Sequence, residues 1–191
     1  MGSAVSSVLT VGHGTLSESD FASIVTAAGV VEVVDVRSFP GSRRNPQFGS
    51  DRMARWLPQH GVTYSWLRSL GGRRKLMPGS PHVALRHASF RAYADHMGSD
   101  SFRAGVTDLL DRGGDLAVMC SESVWWRCHR RLLADYLMLV RQIDVVHLMH
   151  DGRHMPHVPT DGVRRDGNGL VYDVVTAGAA TSGRVDHRAE G

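Results

Sequence analysis

Five of the seven residues in Val30-Val31-Glu32-Val33-Val34-Asp35-Val36 are β-branched. Such side chains are stiff at χ1 and fit a pleated strand better than a helix. A near-continuous apolar run, as opposed to an alternating one, needs cover on both faces, which is the situation of a strand inside a parallel sheet. Four other short runs fit the same sheet, over residues 8–11, 62–67, 116–120 and 145–149. The stretches between them have helical spacing. Ser17-Glu18-Ser19-Asp20 offers side-chain oxygens to free helix amides, Phe21, Ile24, Val25 and Ala28 recur at helical intervals, and Gly29 ends the pattern. Further helices are predicted over 52–60, over 90–111 with a break at Gly98, and over 126–140 with Leu132, Leu133, Tyr136 and Leu137 on one face. Strand and helix alternate about four times. That order predicts an α/β fold, a mainly parallel sheet of about five strands with helices on both faces.

At 191 residues the chain fits one well-filled core. Residues 1–150 read as the α/β domain and 151–178 as a C-terminal extension in which 153–159 and 169–175 form a hairpin. Residues 179–191 read as a disordered tail. No apolar run approaches the roughly 20 residues that span a bilayer. Residues 1–7 lack the basic start and apolar stretch of a secretory signal. The expectation is a cytoplasmic protein with no membrane partner. Two cysteines do not make a disulfide scaffold, so they are free thiols, metal ligands or a redox pair. The net charge is only +3, and Lys75 is the single lysine. Genome composition alone gives such an arginine bias, so local clusters carry the argument. There is no Gly-x-Gly-x-x-Gly or Walker-type loop, no metal is assigned, and the cofactor is left unknown.

Ligands of open parallel sheets sit at the carboxyl ends of the strands. Three predicted strands deliver polar groups to that edge: His13 from the first, Asp35 and Arg37 from the second, Cys120 and Glu122 from the fourth. If a helix follows Cys120 directly, its N-terminal field and Arg127 lower the thiol pKa from about 8.5 and make a nucleophile. A small apolar residue closing a strand is the competing reading of the same cysteine. Glu122 handles a proton or stabilises the helix start. Cys128 lies eight residues on, within reach of a reversible disulfide, and Cys128-His129 suggests metal at a spacing that fits no common zinc pattern. His129 orients a ligand or caps a carbonyl, and Arg130 binds an anion or is solvated. One of Trp125 and Trp126 walls a pocket, or both are core. Arg37, Arg43 and Arg44 flank a Pro-Gly turn, and Arg73, Arg74 and Lys75 lie in the long irregular stretch 70–89; these grip phosphates or are simply solvated. Phe48 and Tyr93 offer stacking surfaces. His13 sits between two glycines that let a ligand approach, whereas His150, His154 and His157 read as a surface cluster in a polar tail.

These residues carry a family resemblance. Gly12-His13-Gly14, the run from Asp35 to Phe48, Leu70-Gly71-Gly72-Arg73-Arg74, Phe90-Arg91-Ala92-Tyr93-Ala94, and Cys120-Ser121-Glu122 with Cys128-His129-Arg130 resemble the domain of unknown function family 488. The chain departs at Gly14, where the family typically has serine, and at Ser121, commonly alanine. The resemblance implies no reaction. It implies a common site containing His13, Asp35, Arg37, Arg43, Arg44, Asn45, Phe48, Gly72, Arg73, Tyr93, Cys120, Glu122, Cys128, His129 and Arg130. A fainter similarity, at the level of fold, is to rhodanese-like domains, which pair an Asp-x-Arg strand with a later strand-Cys-loop-helix.

Three functions are open on this reading. One is a thiol-dependent or sulfur-transferring enzyme acting on a small-molecule or anionic ligand. In it Cys120 is the nucleophile and Glu122, His13 and Asp35 complete the catalytic set. The second is a nucleic-acid-binding or base-processing protein that uses arginine loops and aromatic stacking. The third is a thiol or metal sensor.

Overall fold

The computed structural model describes residues 7–41 and 43–174. The tail expected over 179–191 lies outside the described residues. One sheet of six strands dominates: β1 (Ser7–Gly12), β2 (Glu32–Asp35), β3 (Thr63–Trp66), β4 (Leu116–Cys120), β5 (Asp144–Leu148) and β6 (His154–Pro156), in the order β3-β2-β4-β1-β5-β6. The first five are mutually parallel and β6 runs antiparallel along β5. The α/β architecture is thus as the alternation of runs predicts.

Five helices cover the sheet. On one face α1 (Glu18–Ala27) and α2 (Ser50–Trp56) bury Phe21, Val25, Met53 and Trp56 against Val11, Val33, Ala117 and Met119. On the other, α3 (Ala88–Met97), α4 (Asp100–Asp111) and α5 (Arg130–Leu139) bury Tyr93, Phe102, Leu109, Leu133 and Leu137 against Val8, Val34, Val118 and Val145. Consecutive valines of β2 therefore serve opposite layers, which is why the run lacks polar alternation. Burying a Val, Leu or Phe side chain fully is worth roughly 1.5–3 kcal/mol over leaving it exposed.

Local chemistry sets the boundaries. The Ser17 hydroxyl accepts the Asp20 amide at the start of α1, and Ser99 does the same for Phe102 at the start of α4. Ser99 follows the break at Gly98, so 90–111 is two helices. Pro58 has no amide hydrogen, and α2 passes into a 3-10 turn over Leu57–His60 that Gly61 closes with φ of 75°.

Two expectations are corrected. The helix predicted from 126 begins only at Arg130. Before it the chain makes a 3-10 turn, Trp125–Arg127, and Cys128 is extended, so nine residues separate the end of β4 from α5. The hairpin expected between 153–159 and 169–175 does not form. Residues 154–156 extend the main sheet, while β7 (Val163–Asp166) pairs with β8 (Gly169–Tyr172) in a separate ribbon. The apolar residues Leu170, Val171 and Tyr172 of β8 are buried, Leu170 and Tyr172 within the α3–α5 core, which draws the ribbon inward.

Candidate active site

Because β4 lies between β1 and β2, the carboxyl end of β4 is flanked by those of the other two. The backbone seams continue past the strands: His13 N–H donates to Cys120 O at 3.0 Å, Gly14 N–H to Ser121 O at 2.9 Å and Val36 N–H to Met119 O at 2.9 Å. Above this edge opens a cleft of about 1150 Å³. Its floor holds Cys120, Cys128 and His129. Arg37, Arg43, Arg44, Arg73 and Arg127 stand around it, and Glu122 is the one acidic residue among its described lining. Of the residues predicted from sequence, the cleft gathers these together with His13 and Asn45.

Asp35 does not face the cleft. It is fully buried and receives Arg37 Nε at 2.9 Å, Arg37 Nη2 at 2.5 Å and the Tyr64 hydroxyl at 2.8 Å. Its place is behind Arg37, not among reacting groups. Burial opposes the charge of Arg37, but the Asp35 carboxylate outweighs it and holds the guanidinium pKa up. Arg37 also donates to Phe48 O at 2.7 Å and lies 3.2 Å from His13 Nε2. Since the guanidinium can only donate, His13 Nε2 accepts, and Nδ1 carries the proton given to Gly14 O at 2.9 Å. Burial, then the Arg37 charge, lowers the His13 pKa to about 4. With its lone pair taken, His13 is a neutral buttress for Arg37, and the sequence expectation of a proton-transferring imidazole is not what this geometry provides. Phe48, expected to stack on a ligand, stacks instead beneath His13, with centroids 4.3 Å apart.

The floor is a compact cluster. His129 Nδ1 lies 3.7 Å from Cys120 Sγ and 3.6 Å from Cys128 Sγ, and its Nε2 lies 3.2 Å from Val36 O. Gly72 presses on the ring: a Cβ there would sit 2.4 Å from Nδ1. Tyr93 meets the ring edge-on at 5.0 Å, but it is buried and its hydroxyl donates to Leu70 O, so it supports His129 and stacks on no ligand. The two thiols are unlike. The hydrogen bond to Cys128, then burial, raises Cys120. Burial also works against ionisation of Cys128, but the Cys120 hydrogen bond, then the neighbouring His129 and Arg130, hold it well below the usual thiol value. The expectation of a lowered Cys120 is therefore reversed, because the Cys128 hydrogen bond and burial outweigh the nearby Arg130 charge.

The sequence pattern of the family described as Domain of unknown function DUF488 matches residues 19–137, well over half of the chain. The chain belongs to the DUF488 family. No curated protein matches it, and no solved structure does. The DUF488 segment supplies the cleft from Arg37 to His129, while His13, Gly14 and Thr15 come from the turn after β1, ahead of it. The fainter rhodanese-like analogy finds no support in the loop after Cys120, which makes a tryptophan-bearing 3-10 turn before any helix.

Behind the DUF488 cleft runs a buried polar chain that the sequence reading missed. Arg130, 1% exposed, donates to Thr10 Oγ1 at 3.2 Å and to Glu122 O at 2.5 Å. It is thus a tie between β1 and the loop after Cys120, not an anion ligand. The Thr10 hydroxyl lies 2.7 Å from His147 Nδ1, His147 Nε2 lies 3.0 Å from His157 Nδ1, and His157 Nε2 lies 2.8 Å from Asp135 Oδ1. Read in one direction, each link pairs one donor with one acceptor: guanidinium to hydroxyl, hydroxyl to neutral imidazole, imidazole to imidazole, imidazole to carboxylate. Trp125 stacks on His147 with centroids 4.2 Å apart and lies away from the cleft, so its expected role as a pocket wall is corrected. His157 is buried, not part of a surface cluster. The signal for this chain was thin, since Asp135 sits in a helix and its partners are 22 to 37 residues away.

Burial, then the His157 and Arg130 charges, lowers the His147 pKa to about 3. Below the ordinary value of 6.5 the unfolded chain binds a proton there that the folded chain refuses. Stability is therefore expected to fall as pH drops from 6.5 towards 3, by about 1.4 kcal/mol per pH unit from this group. Urea unfolding of the wild type at pH 7, 6 and 5 should show the decline. His147→Gln should start lower at pH 7 and decline less steeply; parallel curves would refute a neutral His147.

Proposed function

We propose that the protein is a cysteine-dependent enzyme whose Cys120–Cys128–His129 cluster acts on an anionic small molecule. One observation carries the reading: five arginines ring a single cleft whose floor is that cluster. Guanidinium forks match phosphate and carboxylate oxygens in a plane and stay charged at any working pH. The cleft volume is slightly above the usual range for small-molecule sites, which leaves room for a ligand larger than a bare anion. Cys120 and Cys128 are 6% and 3% exposed, so a ligand must descend between the arginines to reach them. Glu122, exposed at the rim, is the group placed to exchange a proton with solvent. Both cysteines are free thiols, which suits a cytoplasmic setting. Among the described residues no helix is long and apolar enough to cross a membrane.

The test is alkylation of the native protein by iodoacetamide, followed by mass spectrometry, with and without inorganic pyrophosphate. Pyrophosphate is expected to slow labelling of the floor cysteines, and an Arg73→Ala/Arg127→Ala variant to lose the protection while keeping its fold. Equal labelling with and without the anion would defeat the reading. Anions that protect then define the class to offer as substrates, and turnover should vanish in Cys120→Ala and in Cys128→Ala.

A nucleic-acid ligand is the second reading. It is favoured by Phe39, 62% exposed at the rim, with the guanidinium carbons of Arg73 and Arg68 lying 5.8 Å and 6.0 Å from its ring centroid. A short single-stranded oligonucleotide in place of pyrophosphate separates the two, because its protection would weaken steeply with salt.

A further inference from the structure

The geometry points to Cys120 Sγ, Cys128 Sγ and His129 Nδ1 as three ligands of a zinc-class divalent cation whose fourth position opens into the arginine-lined cleft. This deepens the reading of a cysteine-dependent site by naming what the sulfurs do there: they hold a Lewis acid beneath the bound anion.

The distances make the first argument. Zinc bonds to sulfur at about 2.3 Å and to imidazole nitrogen at about 2.0–2.1 Å, so a tetrahedral ion sets its sulfur and nitrogen ligands about 3.6 Å apart. Nδ1 stands 3.6 Å and 3.7 Å from the two sulfurs, and all three donor atoms lie within 4.8 Å of one another. The donor positions are therefore close to what the ion requires, with little rearrangement.

The second argument is the far side of the imidazole. Val36 O can only accept, so the Nε2 that faces it at 3.2 Å carries the ring proton. Nδ1 is then the bare lone pair, turned to the sulfurs. A histidine whose other nitrogen donates to a backbone carbonyl is the usual support of a metal ligand, since it fixes both tautomer and ring orientation. Gly72 against the ring face and the Tyr93 edge leave the imidazole little freedom.

The donor set and its charge decide the class of ion. Two thiolates and one imidazole are soft, and they favour zinc over magnesium or calcium, which take oxygen. Two thiolates also neutralise a divalent cation, so the filled site adds no positive charge to a cleft that already holds five arginines. Three protein ligands with a fourth position free is the arrangement of catalytic zinc, whereas structural zinc is closed by four. Bound there, zinc would polarise an oxygen of the anion or acidify a water in that position.

The experiment uses the full chain, reduced and stripped of metal, titrated with Zn²⁺ in competition with a chromophoric chelator. One equivalent is expected to bind. Cys128→Ser and His129→Ala, checked for fold by circular dichroism, are expected to weaken it by about 100-fold or more. Co²⁺ added to the wild type provides a readout that needs no variant: a tetrahedral thiolate complex gives strong visible bands and sulfur-to-metal charge transfer. No zinc uptake, uptake unchanged in both variants, or only the pale spectrum of aqueous Co²⁺ would overturn the inference. Pyrophosphate protection measured on the metal-free protein is independent of all three results, so loss of the metal site and loss of the anion reading are told apart.

Discussion

Replacing Asp135 with alanine is expected to lower the unfolding free energy by about 3–5 kcal/mol, the scale for removing one partner of a buried charged network. The carboxylate is fully buried and collects three donors: His157 Nε2 at 2.8 Å, the Thr160 amide at 2.9 Å and the Tyr172 hydroxyl at 3.0 Å. Alanine leaves all three without this acceptor, and an unpaired buried donor costs about 1–3 kcal/mol. Asparagine keeps one oxygen but turns an amide group toward a donor, so Asp135→Asn should fall between wild type and alanine. Equilibrium urea denaturation measures both. A loss below about 1 kcal/mol for alanine would mean that water replaces the carboxylate and that the chain from Arg130 is not a coupled unit.

Gly12→Ala is expected to be the most damaging single methyl group near the cleft. A Cβ at Gly12 would lie 1.7 Å from the Glu122 carbonyl oxygen and 2.7 Å from Arg130 Nη2. The nearer atom is backbone, so no side-chain rotation relieves the clash, and the loop after Cys120 must move off β1. Overpacking of this kind costs about 1–3 kcal/mol or more. The displaced loop also releases Glu122 O from Arg130 and opens the floor, so the variant should label faster at Cys120 and Cys128 with iodoacetamide as well as unfold earlier. Wild-type stability and wild-type labelling together would show that the loop does not rest on β1.

The β-branched run at Val30–Val36 and the break at Gly98 were legible because they depend on local stiffness and local backbone freedom. The strand ends that deliver His13, Arg37 and Cys120 were legible for a related reason, since parallel topology alone fixes which end of each strand shares an edge. What remained hidden depends on partners distant in sequence. Nothing near Asp135 announces that its carboxylate serves His157 and Tyr172, and nothing near Trp125 announces His147. The start of α5 was hidden as well: three residues of 3-10 turn followed by an extended Cys128 move that point from Trp126 to Arg130.

The place of β1 in the sheet has a consequence for how the chain is made. Leu9 pairs with Ala117 on one side and with Val146 on the other. β1 thus leaves a ribosome well before either neighbour, and its edges stay bare until β4 and then β5 have been synthesised. Contacts so far apart in sequence slow folding and expose unpaired backbone to other chains. Production in cells should therefore improve when translation is slowed or cooled, with more of the protein recovered outside aggregates.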